Sequence, residues 1–73
     1  MTSSETQQIR LNGEDAPLRV QTIGALLGSM DIDAAQPGIA VALNGSVVPR
    51  SAWAQTPLHS GDSVEVVRAR QGG

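Results

Sequence analysis

Ile9 and Leu11 alternate with Arg10 and Asn12, so one side of this segment is apolar and the other polar, the period of a half-buried β-strand. Asn12-Gly13-Glu14-Asp15 follows as a turn, because Asn and Gly tolerate positive φ. Ala16 to Val20 reads as a second short strand, with Leu18 and Val20 on one side and Arg19 on the other. The two segments predict an N-terminal hairpin. Beyond it the period changes. Ile23, Leu26, Leu27 and Met30 recur at helical spacing and form one apolar stripe, and Thr22 stands where an N-cap is needed. Gly24 and Gly28 each lower helix propensity by roughly 1 kcal/mol relative to Ala, so this helix depends on tertiary packing. The two glycines are expected to let it sit close to a sheet; neither belongs to a phosphate-loop or dinucleotide pattern.

Asp31 to Gly38 reads as a loop that closes with Pro37-Gly38. Ile39 to Asn44 is a continuous apolar run ending at Asn44-Gly45, as a central strand would. Ser46 to Pro57 reads as irregular, since Pro49 and Pro57 interrupt any ladder. Ser60-Gly61-Asp62 is a further turn, and Ser63 to Arg68 is a last alternating strand. If Val64 and Val66 face the helix, period two points Glu65 and Val67 to the open side. On the neighbouring strand Val41 and Leu43 are then inward and Ala42 outward, so Ala42 and Val67 form a small apolar patch beside the C-terminus. Hairpin, helix, strand, irregular connector, strand is the order of an α+β chain of β-grasp architecture, a small mixed sheet packed on one helix. Its crossover is expected to be right-handed. The chain divides into a disordered N-terminal extension at residues 1–8, a β-grasp domain at 9–69, and a flexible tail at 70–73.

Composition narrows the chemistry. A 73-residue chain makes one domain and buries only about 60% of its unfolded surface, which leaves little room for an internal cleft. The net charge is −2 and the five cations are all Arg, spread along the chain, so no basic stripe invites nucleic acid. The uncharged run from Val20 to Met30 is too short to span a bilayer, and Met1 to Gln8 has neither a basic nor an apolar region of a secretory signal. With no cysteine there is no disulfide framework, which fits a reducing, cytoplasmic compartment. Cys, Lys and Tyr are absent and His and Trp occur once each, which excludes covalent catalysis by thiol or amine and any multi-His metal site. The seven carboxylates, Glu5, Glu14, Asp15, Asp31, Asp33, Asp62 and Glu65, fall mostly at turns. No catalytic, metal or cofactor-binding constellation is expected, so the chain reads as a non-enzyme that is monomeric when free. His59 reads as a turn residue and Asp62 as a turn residue bonded to nearby backbone. Trp53 reads as an anchor for the connector, with an interface anchor as the alternative. Arg50, Arg68 and Arg70 keep the surface hydrated; Arg68 and Arg70 also flank the tail, where an acidic groove on a partner would complement them.

The chain ends in Gly72-Gly73. Together with Val41-Ala-Leu-Asn-Gly45, Val48-Pro-Arg50, Trp53, Leu58 leading to Gly61-Asp62, and Val64-Glu-Val66, this ending resembles the ThiS family of ubiquitin-like sulfur carriers. The resemblance covers Ile9 to Gly73, and the Asn-Gly, Val-Pro-Arg and Trp set favours ThiS over the carriers of the molybdopterin pathway. The extension before the first strand departs from the family without touching a functional residue. The resemblance implies that Gly73 is the covalent carrier site and that thiazole formation in thiamine biosynthesis is the pathway. It also implies three partners: a ThiF-like adenylating enzyme that uses ATP, a sulfur donor such as a cysteine desulfurase, and a ThiG-like thiazole synthase. In ubiquitin-like proteins the face that holds Ala42 and Val67 here docks partners. The chemistry of the tail agrees. A terminal carboxylate is ionised at neutral pH and accepts sulfur only after an oxygen is made a leaving group, as in an acyl-adenylate. Glycine, lacking Cβ, enters narrow channels, and Arg70 to Gly73 extended reach roughly 13–14 Å. Two other readings stay open on the residues alone: a sulfur carrier for molybdopterin or cysteine, and a conjugating modifier or interaction domain without sulfur chemistry. The lack of Lys excludes lysine-linked polymers of the chain itself.

Overall fold

Two Asn-Gly pairs set the ends of the sheet. Asn12 and Gly13 have φ of 54° and 85°, and Asn44 and Gly45 have 52° and 87°, the two consecutive positive angles of a two-residue hairpin turn. The computed structural model describes residues 7–69. The first turn joins β1 (Gln8–Leu11) to β2 (Glu14–Pro17), and the second joins β3 (Ile39–Leu43) to β4 (Ser46–Val47). Helix α1 (Ile23–Ser29) lies between the hairpins, a 3-10 helix spans Arg50–Gln55, and β5 (Ser63–Arg68) closes the order. The five strands form one sheet in the order β2-β1-β5-β3-β4. β1 and β5 run parallel and every other pair is antiparallel. This is the expected mixed sheet and single helix of a β-grasp fold.

Both turn asparagines also serve the central strand. The Asn12 side-chain oxygen accepts from the Val66 N–H at 2.8 Å, and the Asn44 side-chain oxygen accepts from the Ser63 N–H at 2.8 Å. One residue type thus supplies the positive φ of the turn and an acceptor for β5.

Helix α1 is capped at both ends. Thr22 Oγ1 accepts from the Ala25 N–H at 3.1 Å, the expected N-cap. At the other end Asp31 takes φ 62° and donates to the Gly28 carbonyl, while Ile32 donates to that of Leu27, a Schellman closure. Ile32 is buried beside the helix, supplying the apolar contact that accompanies such a closure. Ile23, Leu26 and Leu27 meet Ile9, Val41, Val64 and Val66 of the sheet in one core, which Trp53 and Leu58 complete from the connector.

Four expectations are corrected. The second strand is Glu14–Pro17 rather than Ala16 to Val20, because a two-residue turn at Asn12-Gly13 already pairs Leu11 with Glu14. Leu18 and Val20 still pack on the core, from outside the strand. The sheet also begins earlier than residue 9. Gln8 opens β1, its carbonyl accepts from Gly61, and the Gln7 carbonyl accepts from Leu18. Residues 1–6 of the expected extension lie outside the described residues. The connector is not irregular: it holds β4 and the 3-10 helix, with Pro49 as the N-cap of the latter. Finally, Gly24 lets α1 approach the 3-10 helix rather than the sheet, since a Cβ there would lie 3.2 Å from Ala54 Cα; at Gly28 a Cβ would meet nothing within 4 Å.

Candidate functional site

The described residues among those expected to work, Ala42, Val67 and Arg68, lie on β3 and β5. Arg70, Gly72 and Gly73 lie outside the described residues, and the chain leading to them is fixed by β5. Ile39 pairs with Arg68, and one step further the Ala69 N–H donates to the Gly38 carbonyl at 2.7 Å. Ala69 is therefore held by the sheet one residue before Arg70. Arg68 is exposed at the end of the strand.

Alternation along β5 divides its residues cleanly. Val64 and Val66 are buried at 0% and 8% exposure, whereas Val67 is 58% exposed. Across the ladder Ala40 pairs with Val67 and Ala42 with Glu65, and on its other side Ala42 pairs with Val47. Ala42 is half-buried between these neighbours, and Val47 is 78% exposed. Val67, Ala40, Ala42 and Val47 thus make an apolar strip across β5, β3 and β4 on the side opposite the helix. The strip is wider than the Ala42–Val67 pair expected from the sequence. Val47 was missed because its segment reads as irregular, although the Asn44-Gly45 turn calls for a returning strand that places Val47 opposite Ala42.

The remaining singled-out side chains are structural. Trp53 is buried, and its indole N–H donates to the Val48 carbonyl at 2.9 Å, so it anchors the connector. Arg50 does more than hydrate the surface: it donates to the carbonyls of Ala34 and Gln36 and stacks 4.6 Å from the Trp53 ring centroid. Asp62 joins two turns. Its carboxylate accepts from the Asn44 side-chain amide at 3.1 Å and from the His59 N–H at 2.8 Å. These two bonds, the Asn44 one foremost, hold its carboxyl below the usual carboxylate range against the opposing effect of burial. The His59 ring is 74% exposed with Nδ1 3.9 Å from the same carboxylate, a turn residue as expected.

Among the described residues there is no pocket, and no group of three His, Cys, Asp or Glu side chains is placed to hold a metal. No helix among them is long and apolar enough to cross a membrane. What this geometry offers is a strand end held by the sheet at Ala69 and an exposed apolar face beside it.

The sequence model of the ThiS family matches residues 6–73. The chain belongs to the ThiS family. A sulfur carrier protein ThiS from Thermus thermophilus is 40% identical over 63 residues, a match covering 86% of this chain and 95% of that protein. A thiazole synthase from Paramagnetospirillum magneticum is 36% identical over 64 residues; the match covers 86% of this chain but only 19% of that protein, so the longer polypeptide contains a ThiS-like segment. The fold is that of ThiS from Geobacter metallireducens, a thiamine biosynthesis protein. Its crystal structure superposes with a TM-score of 0.72 at 28% identity, covering 90% of this chain and 99% of that one. Its solution structure gives 0.74 at the same identity, covering 90% and 87%. Membership in the ThiS family makes the chain a small carrier rather than a catalyst.

Proposed function

We propose that this ThiS-family chain, a sulfur carrier protein of thiamine biosynthesis, carries its sulfur as a thiocarboxylate on Gly73. The observation that carries the reading is that the family match runs through Gly72-Gly73, in a chain with no cysteine and hence no side chain for carrying sulfur as a persulfide. A carboxylate oxygen of Gly73 attacks the α-phosphorus of ATP, and pyrophosphate leaves. In the second step the outer sulfur of a donor persulfide attacks the acyl carbon, and AMP departs with the carboxylate oxygen. A thiol then attacks the donor-side sulfur of the acyl disulfide, releasing the thiocarboxylate and leaving a disulfide. ATP and the side chains for both steps belong to a ThiF-like adenylating enzyme, with a cysteine desulfurase as the source of sulfur. The acceptor is a thiazole synthase. Support for that partner comes from the P. magneticum thiazole synthase, in which a ThiS-like segment shares one polypeptide with the remainder of the protein. The cytoplasm is the compartment we assign to the reaction.

The apolar strip of Val67, Ala40, Ala42 and Val47 is the docking face in this scheme, with Arg68 and Arg70 facing acidic groups on the enzyme. The test is intact-mass spectrometry of the chain after incubation with the adenylating enzyme, magnesium-ATP and a sulfur donor. One oxygen is exchanged for sulfur, and the change maps to the C-terminal peptide. Deleting Gly73 abolishes it and leaves thermal stability unchanged, because the buried core is built from residues between Ile9 and Val66. A mass change that survives the deletion refutes the assignment to Gly73.

A further inference from the structure

Arg50 opens the 3-10 helix on an exposed stretch of chain, yet its side chain is held on two sides. On one side its guanidinium lies 4.6 Å from the ring centroid of Trp53, whose indole is itself fixed by the Val48 carbonyl. On the other it donates through Nη1 to the Ala34 carbonyl and through Nη2 to the Gln36 carbonyl, the latter at 2.8 Å. A planar fork reaching two carbonyls is an arrangement that Arg makes and Lys cannot. The gripped segment is already folded on itself, since Asp33 accepts from Ala35 through its side chain and from Gln36 through its carbonyl.

Two residues beyond Gln36 stands Gly38, whose carbonyl takes the Ala69 N–H. Gly38 has φ 82°, open to glycine and strained for other residues, and a Cβ there would lie 3.3 Å from the Ala69 carbonyl oxygen. Loop and tail base are therefore in direct contact. We infer that Arg50 is a positioning residue for sulfur loading: by clamping residues 34–36 it keeps Gly38 against Ala69 and fixes the point from which the chain sets out toward Gly73. The inference rests on the carrier reading above and deepens it. Arg50 touches no reacting atom and acts only through backbone.

Releasing one backbone residue from the sheet multiplies its conformations about five- to thirtyfold, and a partner that binds the tail must remove them again. Docking through the strip is unaffected by such a release, so the loss falls on the fraction of docked chains whose carboxyl reaches the reaction point. The variant is Arg50→Met, which keeps an aliphatic stem over Trp53 and has no donor. Amide hydrogen exchange at Ala69 rises at least fivefold. Exchange at Val66, on the same strand but bonded to Asn12, stays as it was. In the loading reaction kcat falls about five- to thirtyfold with KM unchanged. Arg50→Lys, with a single donor group, gives intermediate values; it also serves as the test pair with wild type if Arg50→Met does not fold.

Unchanged exchange at Ala69 in a folded variant overturns the inference. So does an equal rise at Val66, which marks general loosening, or a rise in KM at constant kcat, which makes Arg50 a contact residue. If the wild-type chain acquires no sulfur, the carrier reading falls instead, and the Ala69 and Val66 amides still decide whether the clamp exists.

Discussion

The two faces of the sheet are built from the same strands and differ by one residue in register. On the covered face Val41 and Val64 are at most 1% exposed and meet the apolar stripe of α1. On the open face Val47 and Val67 are more than half exposed, with Ala40 and Ala42 between them. Both faces are apolar here, so hydrophobicity alone does not separate the residues that hold the fold from those left exposed. What separates them is whether another element of the same chain covers them. The open face is also uneven. Its β1–β2 end carries Arg10 and Asp15, paired across the hairpin at 3.7 Å, whereas its β3–β5 end carries the small apolar strip. Scattered exposed valines are ordinary, but a run across three adjacent strands beside the end of β5 forms a patch suited to association.

The largest effect expected from this comparison is on the covered face. Val64→Asp places a carboxylate at a position with 0% exposure and no polar partner among the buried side chains. The cost is about 4–5 kcal/mol or more, comparable with the whole stability of a domain this small. Circular dichroism should show no cooperative thermal transition. A Val64→Asp chain that melts like wild type would mean that the two faces are assigned the wrong way round.

A smaller effect lies at the rim that joins the faces. Asp62→Ala removes the acceptor of the Asn44 amide and the His59 N–H, both open to water, and costs about 0.5–1.5 kcal/mol, read as a lower urea midpoint at neutral pH. The sign of its pH dependence follows from the depressed carboxyl. The folded chain holds this proton less tightly than the unfolded chain, so the stabilisation is fully present above the unfolded pKa. It is lost as pH falls through the lower, folded one. Wild type therefore weakens on acidification below about pH 4, and Asp62→Ala shows a shallower decline. Equal slopes in the two proteins would remove Asp62 from the acid response.

Most of the covered face was legible in the sequence, because a period of two in Ser63–Arg68 and a helical period in Ile23–Met30 leave little choice of partner. The N-cap at Thr22, the turn role of Asp62 and the inward Val41, Val64 and Val66 follow from such local rules. Illegible were features that depend on contacts distant in sequence. Arg50 reads as a hydrating cation until the fold brings Ala34 and Gln36 to its fork, 16 and 14 residues away. Asn12 reads as a turn former until β5 arrives with the Val66 N–H, 54 residues on. Val47 was obscured differently: two prolines nearby outweighed the hairpin signal of Asn44-Gly45, and a two-residue strand is too short to show a period. The site itself was legible only in its chemistry. The terminal glycines suggest the proposed carrier group, whereas the Gly38–Ala69 rung at the end of β5 is a long-range backbone bond without a sequence signature.

The smallest effect on stability, and the sharpest on function, is expected at Val67. Its side chain is 58% exposed and faces Ala40 across the ladder, so Val67→Asp buries no charge. The new carboxylate stands two residues from Glu65 on the same face, a like-charge neighbour in water, and the change in unfolding free energy stays within about 0.5 kcal/mol. Association is another matter. If the strip docks on the adenylating enzyme, an aspartate at its β5 end must be desolvated against an apolar surface without a partner, and affinity falls at least about tenfold, or 1.4 kcal/mol. Val47→Asp, at the far end of the strip, weakens binding in the same direction. Arg10→Ala, on the same face but at its polar end, leaves binding unchanged and removes an exposed ion pair of little worth to stability. Titration calorimetry with the three variants separates the possibilities. Loss confined to Val67 and Val47 places the interface on the apolar end, whereas an equal loss with Arg10→Ala spreads it over the whole face. Full affinity in Val67→Asp and Val47→Asp moves the docking surface off the sheet, and the contrast between its two faces then has no bearing on recognition.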